Sequence, residues 1–238
     1  MNTQIINIQF SVFGDFKDLN PSNPNIVIEF MNMLKNDEFV PSTFGEIPMN
    51  TNQIKLYNRF SFSNKDGVTI NIGSERLDVV FGYIDDGKYK DMNYDNIYDK
   101  ALNYIFNIIN KYKNVIYRIA LNITKIFDLE DSKKIENKFN QSIELEYYKN
   151  KDVVEWNEKL VCRDKDVFKN DINICLDLNK TIGKFNKKNE VIDFNGVMAI
   201  FDINTVFTDI KEEYNEEDIR DFFSVAGNKF KEMDKSID

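Results

Sequence analysis

Histidine is absent from the 238 residues, and that one absence removes a broad block of chemistry. It excludes Ser-His-Asp and Cys-His nucleophile arrangements, imidazole-ligated zinc, and the side chain that most readily acts as a general base near neutrality. Cysteine is nearly as scarce. Cys162 and Cys175 are the two in the chain, too few for a four-ligand structural zinc site or a disulfide scaffold, and their strand-like surroundings suit a reducing compartment. The 9 glycines stand singly, so there is neither a Gly-rich phosphate loop nor a dinucleotide fingerprint. With 4 prolines the chain is also short of turn formers, which speaks for long elements and against a sandwich of many tight hairpins. No segment approaches the roughly 20 apolar residues that span a bilayer, and residues 1–13 lack a basic stretch followed by a long apolar run, so a cytoplasmic location is expected. Positive charge is in deficit as well: 31 Lys and Arg against 40 Asp and Glu give a net charge of −9. That balance opposes direct nucleic-acid binding and favours a protein partner with a basic surface.

What is present is a core and clear periodicity. Hydrophobic residues make up 42% and aromatic residues 13%, enough to bury a substantial interior and to exclude large-scale disorder. Residues 5–13 read as a strand. Asn23 and Pro24 open a helix reaching about Asn36, because Asn can cap and Pro fits the first turn. From 39 to 83 the period shortens to alternation, as in Ile54, Leu56, Phe60 and Phe62, with turns at Asp66-Gly67 and Gly73-Ser74, giving an antiparallel meander. Ile97, Ala101, Ile105, Ile108 and Tyr112 recur at helical spacing, and Val115, Tyr117, Ile119, Leu121 and Ile123 at strand spacing. A short polar helix is expected over 132–139. Further strands are predicted at 143–147, 154–162, 172–178 and 197–207, with turns at 186–189 and at Asn195-Gly196. A last helix starts after Asn215, with Asp218 placed for reciprocal capping and Ile219, Phe222, Phe223, Ala226, Phe230 and Met233 on one face.

The fold class is therefore α+β: antiparallel sheet with long amphipathic helices packed on one face, arranged as two similar ββββα halves over 1–114 and 115–238 that form one compact unit. No flexible linker separates them.

Candidate chemistry reduces to carboxylates and aromatics. Asp91, Asn93 and Asp95 imitate the start of a calcium loop, but Asn96 and Leu102 stand where Gly and the bidentate Glu belong. Glu136-Asn137-Lys138 has a nuclease-like acid-x-Lys spacing, yet it falls in a helix beside Lys133 and Lys134, where a solvated face accounts for it. No catalytic residue, metal ligand or cofactor is assigned. Asp85, Asp86, Asp164 and Asp166 are the least implausible ligands of a divalent metal. Trp156, in line with Val154, Leu160 and Cys162, reads as core. Tyr147 and Tyr148, flanked by Glu144 and Glu146, suit protein contact better than base stacking. The acidic run 209–221 supplies Glu212, Glu213, Glu216 and Glu217 at a helix start, as helix capping and solubility or as a surface that steers a basic partner.

Phe39-Val40-Pro41-Ser42, Arg118-Ile119-Ala120-Leu121-Asn122 and the closing strand 199–204 before the terminal helix resemble a sporadically distributed bacterial family of α+β proteins. The resemblance covers most of the chain and carries no activity or functional residues to transfer. It implies genes linked to mobility or defence. The expectation is a non-catalytic interaction protein in phage–host or toxin–antitoxin conflict: an inhibitor of the anti-CRISPR kind, an immunity protein or a defence accessory subunit. The alternative is a carboxylate- and divalent-metal-dependent hydrolase acting on nucleotides or phosphodiesters.

Overall fold

The computed structural model describes residues 3–47, 56–84, 88–89, 92–139, 155–187, 190–206 and 213–237. They form an α+β fold of one antiparallel sheet and four helices. The strands are β1 (Gln4–Gly14), β2 (Val40–Glu46), β3 (Tyr57–Ser63), β4 (Val68–Ile72), β5 (Arg76–Gly82), β6 (Ile116–Ile126), β7 (Trp156–Asp164), β8 (Ile172–Lys187) and β9 (Glu190–Thr205). The helices are α1 (Pro24–Leu34), α2 (Tyr94–Tyr112), α3 (Leu129–Phe139) and α4 (Glu216–Ile237). The sheet order is β2-β3-β4-β5-β1-β6-β9-β8-β7, with β1 and β6 antiparallel at its middle. No helix among the described residues is long and apolar enough to cross a membrane.

Alternation along each strand sorts the two faces of the sheet. One register row runs Pro41, Phe62, Ile70, Val79, Phe10, Leu121, Ile203, Ile174, Cys162, apolar from edge to edge. Three helices cover this face. The Phe10 ring lies 5.6 Å from Tyr94 of α2 and 5.1 Å from Phe223 of α4. Phe30 of α1 sits 5.3 Å from both Phe60 and Phe62 and 5.4 Å from Tyr112 at the end of α2. Phe201 meets Phe230 of α4 edge-on at 5.0 Å. These residues belong to one continuous hydrophobic core.

Local chemistry starts α1 and α4 where the pattern predicts, whereas α3 begins at Leu129, ahead of the expected 132, because the Asp128 side chain accepts from the Glu130 and Asp131 N–H groups at 3.0 Å. The Asn23 and Asn93 side chains accept from the backbone N–H two residues on, with Pro24 in the first turn of α1. Asn93 is thus the cap of α2 rather than a metal ligand. At α4, Asn215 and Asp218 exchange backbone-to-side-chain bonds of 3.0 Å in each direction, a reciprocal capping box. Where α4 crosses α2 the approach is too close for a side chain: a Cβ on Gly227 would lie 2.2 Å from Cε1 of Tyr94.

Three expectations need correction. Asn195 and Gly196 do not form a turn; they lie inside β9, paired with Ile182 and Thr181. Glycine serves there because α3 packs against the strand, and a Cβ would meet Ser132 Oγ at 2.8 Å and Phe127 O at 2.9 Å. Leu56 precedes β3 and is exposed rather than half-buried. Leu160 and Cys162, read as core beside Trp156, are both exposed, because no described helix covers their part of the sheet. The strand predicted at 143–147 and residue Ile54 lie outside the described residues.

Candidate interaction surfaces

The acidic start of α4 is partly committed to structure. Asp218 completes the capping box and accepts from Lys169 Nζ at 3.1 Å. Glu216 accepts from Asn110 Nδ2 of α2 at 2.6 Å, and the Glu213 backbone carbonyl accepts from Lys169 at 3.4 Å. The side chains of Glu213, Glu216 and Glu217 remain exposed. Glu217 joins Asp218, Asp221, Arg220, Ser224 and Tyr98 around an open recess of about 450 Å³, and the Tyr98 hydroxyl donates to the Arg220 carbonyl at 2.9 Å. Three carboxylates at one helix start and one guanidinium give this recess an acidic character. Glu212, Tyr147 and Tyr148 lie outside the described residues.

The second face of the sheet is polar in a way that only the register reveals. A row beside the apolar one runs Ser42, Ser61, Asn71, Asp78, Ser11, Ala120, Asn204, Asn173, Arg163 across all nine strands. Neighbours in the row bond to one another: Ser61 to Asn71 at 2.7 Å, Ser11 to Asp78 at 2.6 Å, Asn173 to Asn204 at 3.3 Å and Arg163 to Asn173 at 3.2 Å. At its centre the buried Asp78 also accepts from Gln9 at 3.1 Å and pairs with the Arg76 guanidinium at 2.8 Å.

Burial pushes the Asp78 carboxyl above the usual range, against the opposing pull of Arg76, Ser11 and Gln9. A folded-state value above the unfolded one means that the stabilising contribution is complete below the ordinary carboxylate range, about pH 4, and is lost as pH rises through the raised value. Asp78→Asn preserves an acceptor for Ser11 and Gln9. It is expected to keep stability at pH 7 within about 1 kcal/mol of the parent while flattening the decline in stability between acid and neutral pH. Urea melts at pH 4, 5.5 and 7 check this; an equal loss at all three would mean that the carboxylate charge is not what burial acts on.

The third surface is at β7, the last strand of the sheet among the described residues. Leu160 and Val161 are 50% and 60% exposed, on opposite faces of the strand, where the alternation Glu158-Lys159 is broken by three consecutive apolar residues. On the helix face, Leu160 and Cys162 of β7, Ile174 and Leu176 of β8, and Met233 and Ser236 of α4 line a groove of about 510 Å³. Its polar rim is Asp164, Lys229 and Glu232, with Lys229 Nζ 2.9 Å from Asp164 and 3.3 Å from Glu232. Of the carboxylates weighed as metal ligands, Asp164 is therefore engaged by a lysine, and Asp166 lies beyond the strand end at a left-handed φ of 63°. Asp85 and Asp86 lie outside the described residues. Among the described residues no group of three or more His, Cys, Asp or Glu could hold a metal ion. The broken alternation at 160–162 was the sequence signal for this groove. Comparison of the chain with family models and with curated proteins found no match to either.

Proposed function

We propose that this chain is a non-catalytic interaction protein that binds a protein partner with a basic surface, in the role of an inhibitor, immunity protein or accessory subunit in phage–host or toxin–antitoxin conflict. The observation that carries the reading is the β7 edge: contiguous exposed Leu160, Val161 and Cys162 beside an apolar groove with an acidic rim. Exposed apolar strand edges are protected in proteins that work alone, by charge, proline or a covering element, because they invite pairing with another chain. The net charge of −9 and the acidic recess at α4 add long-range attraction for a basic surface.

The fold also supports reading the molecule as two related halves, β1 to α2 and β6 to α4. In each, the first strand is followed by a helix and then by a meander whose last strand returns to pair with the first. Strands β3-β4-β5-β1 then correspond to β7-β8-β9-β6, and α2 corresponds to α4.

The test is affinity capture from the native host followed by kinetics. Association with the captured protein is expected to slow about tenfold between low and high salt, as electrostatic steering is screened, with a smaller change in dissociation. Changing Glu212, Glu213, Glu216 and Glu217 to Gln is expected to flatten that salt slope. If no protein co-purifies in stoichiometric amount, the interaction reading fails; equal on-rates and salt slopes for the two proteins would reduce the acidic segment to a solvated helix start.

A further inference from the structure

We propose that the groove between β7 and α4 receives an amphipathic helix of the partner, lying as α1 lies in the other half of the molecule, with an aromatic anchor on its buried face and Lys or Arg on its flank. The inference rests on the interaction reading and on the correspondence of the halves, and it specifies the occupant.

The argument comes from what fills the equivalent place. On the β3 side of the sheet, α1 lies in the angle between the strands and the C-terminal end of α2, and Phe30 plugs the space framed by Phe60, Phe62 and Tyr112. By strand order, Phe60 and Phe62 correspond to Leu160 and Cys162, and the end of α2 corresponds to the end of α4, where Met233 and Ser236 line the groove. The helix that follows the first strand of this half, α3, does not take that place. It packs on β9 and reaches β8 and the tip of α4, with Ser132 Oγ accepting from the Val197 N–H at 2.8 Å, Glu136 pairing with Lys180 of β8 at 3.4 Å and Lys138 Nζ donating to the Ile237 carbonyl at 2.9 Å, yet it lines no part of the groove. Among the described residues, the angle beside α4 therefore keeps its apolar floor of Ile174 and Leu176 with no helix lying over it.

Size and charge specify the replacement. The 11 residues of α1 make a rod of about 16 Å, which fits along β7 and leaves part of the strand free. Beside α2 the flank of α1 is acidic: Glu29 accepts from the Tyr112 hydroxyl at 2.9 Å and lies 3.5 Å from Lys111. Beside α4 the sign is reversed, because Asp164 and Glu232 share the single Lys229. A helix in this groove thus needs a cation where α1 carries Glu29, together with apolar residues at i, i+3 or i+4 and i+7 for the floor.

The probe is a fluorescein-labelled peptide with the sequence of residues 22–36 carrying Glu29→Lys, titrated into the full chain. Binding is expected with a dissociation constant below about 100 µM, as suits a short helix that must order on binding. It should weaken at least tenfold in Leu160→Glu and in Met233→Glu, neither of which replaces a fully buried residue, and severalfold when the peptide retains Glu29. Cys162 gives a second readout: in a Cys175→Ser background, its reaction with a thiol reagent should be fast in the free protein and slowed at least fivefold by saturating peptide. The proposal is overturned by the absence of binding up to about 1 mM, by equal binding to parent and Leu160→Glu, by a Cys162 already protected in the free protein, or by concentration-dependent dimerisation that Leu160→Glu abolishes, which would make a second copy the occupant. A captured partner whose affinity ignores Leu160→Glu would preserve the interaction reading and refute this groove as its seat.

Discussion

Gly227→Ala is expected to destabilise the protein by about 2–3 kcal/mol, the cost of overpacking a closed core, although alanine alone would favour the helix by about 1 kcal/mol. The added methyl would lie 2.2 Å from Cε1, 2.7 Å from Cζ and 2.8 Å from Cδ1 of Tyr94. That ring cannot step aside without further loss. Its hydroxyl donates to the Phe223 carbonyl and its face stacks on Phe10, while burial holds the phenol protonated far above its ordinary range. Chemical denaturation of Gly227→Ala, Tyr94→Leu and the double variant measures the effect. The double variant should be less destabilised than the sum of the two single ones, because Tyr94→Leu removes the ring atoms that the new methyl would meet. A stabilised Gly227→Ala would show that α2 and α4 do not cross where the structure has them touching.

Phe10→Ala is expected to cost more, about 3–5 kcal/mol, in the range for removing a large aromatic side chain from a site that cannot collapse. Phe10 is fully buried at the point where β1, α2 and α4 meet, with Phe81, Tyr94 and Phe223 rings within 6.2 Å. Loss here removes the floor on which both long helices rest. Equilibrium unfolding of Phe10→Ala beside Phe10→Leu separates cavity from shape: the leucine variant should recover about half or more of the loss. A change below about 1 kcal/mol would mean that the helices draw their stability from elsewhere.

Local features were legible in the sequence wherever a few neighbouring residues decide the outcome. The caps at Asn23 and Asn215, the period of α2 and the alternation in β6 each follow from contacts within one or two turns or from a single strand's two faces. Features that depend on a distant neighbour were not. Gly196 next to Asn195 has the composition of a turn, and only α3, packed against β9, explains why glycine stands inside a strand. Leu160 and Cys162 have the composition of core, and only the placement of the four described helices shows that none of them covers that part of the sheet. The row from Ser42 to Arg163 is dispersed over the chain and becomes visible only once the eight strand pairings are aligned. The acidic start of α4 was readable as a cluster, but its division between capping, the bond to Asn110 and free carboxylate required the positions of α2 and Lys169.

The central place of β1 also sets an order of events during synthesis. This strand leaves the ribosome before the other eight, yet its two neighbours, β5 and β6, begin at Arg76 and Ile116. At roughly 5–20 residues per second, an interval of about 5–20 s separates the end of β1 from the start of β6. Through that interval the meander β2 to β5 can zip from its local turns and capture one edge of β1, while the backbone groups of the edge that later pairs with β6 stay open. The nascent chain therefore passes through a half-built sheet whose exposed edge is the one that later becomes the molecular centre, and on crowded polysomes two such edges could pair in place of β1 and β6.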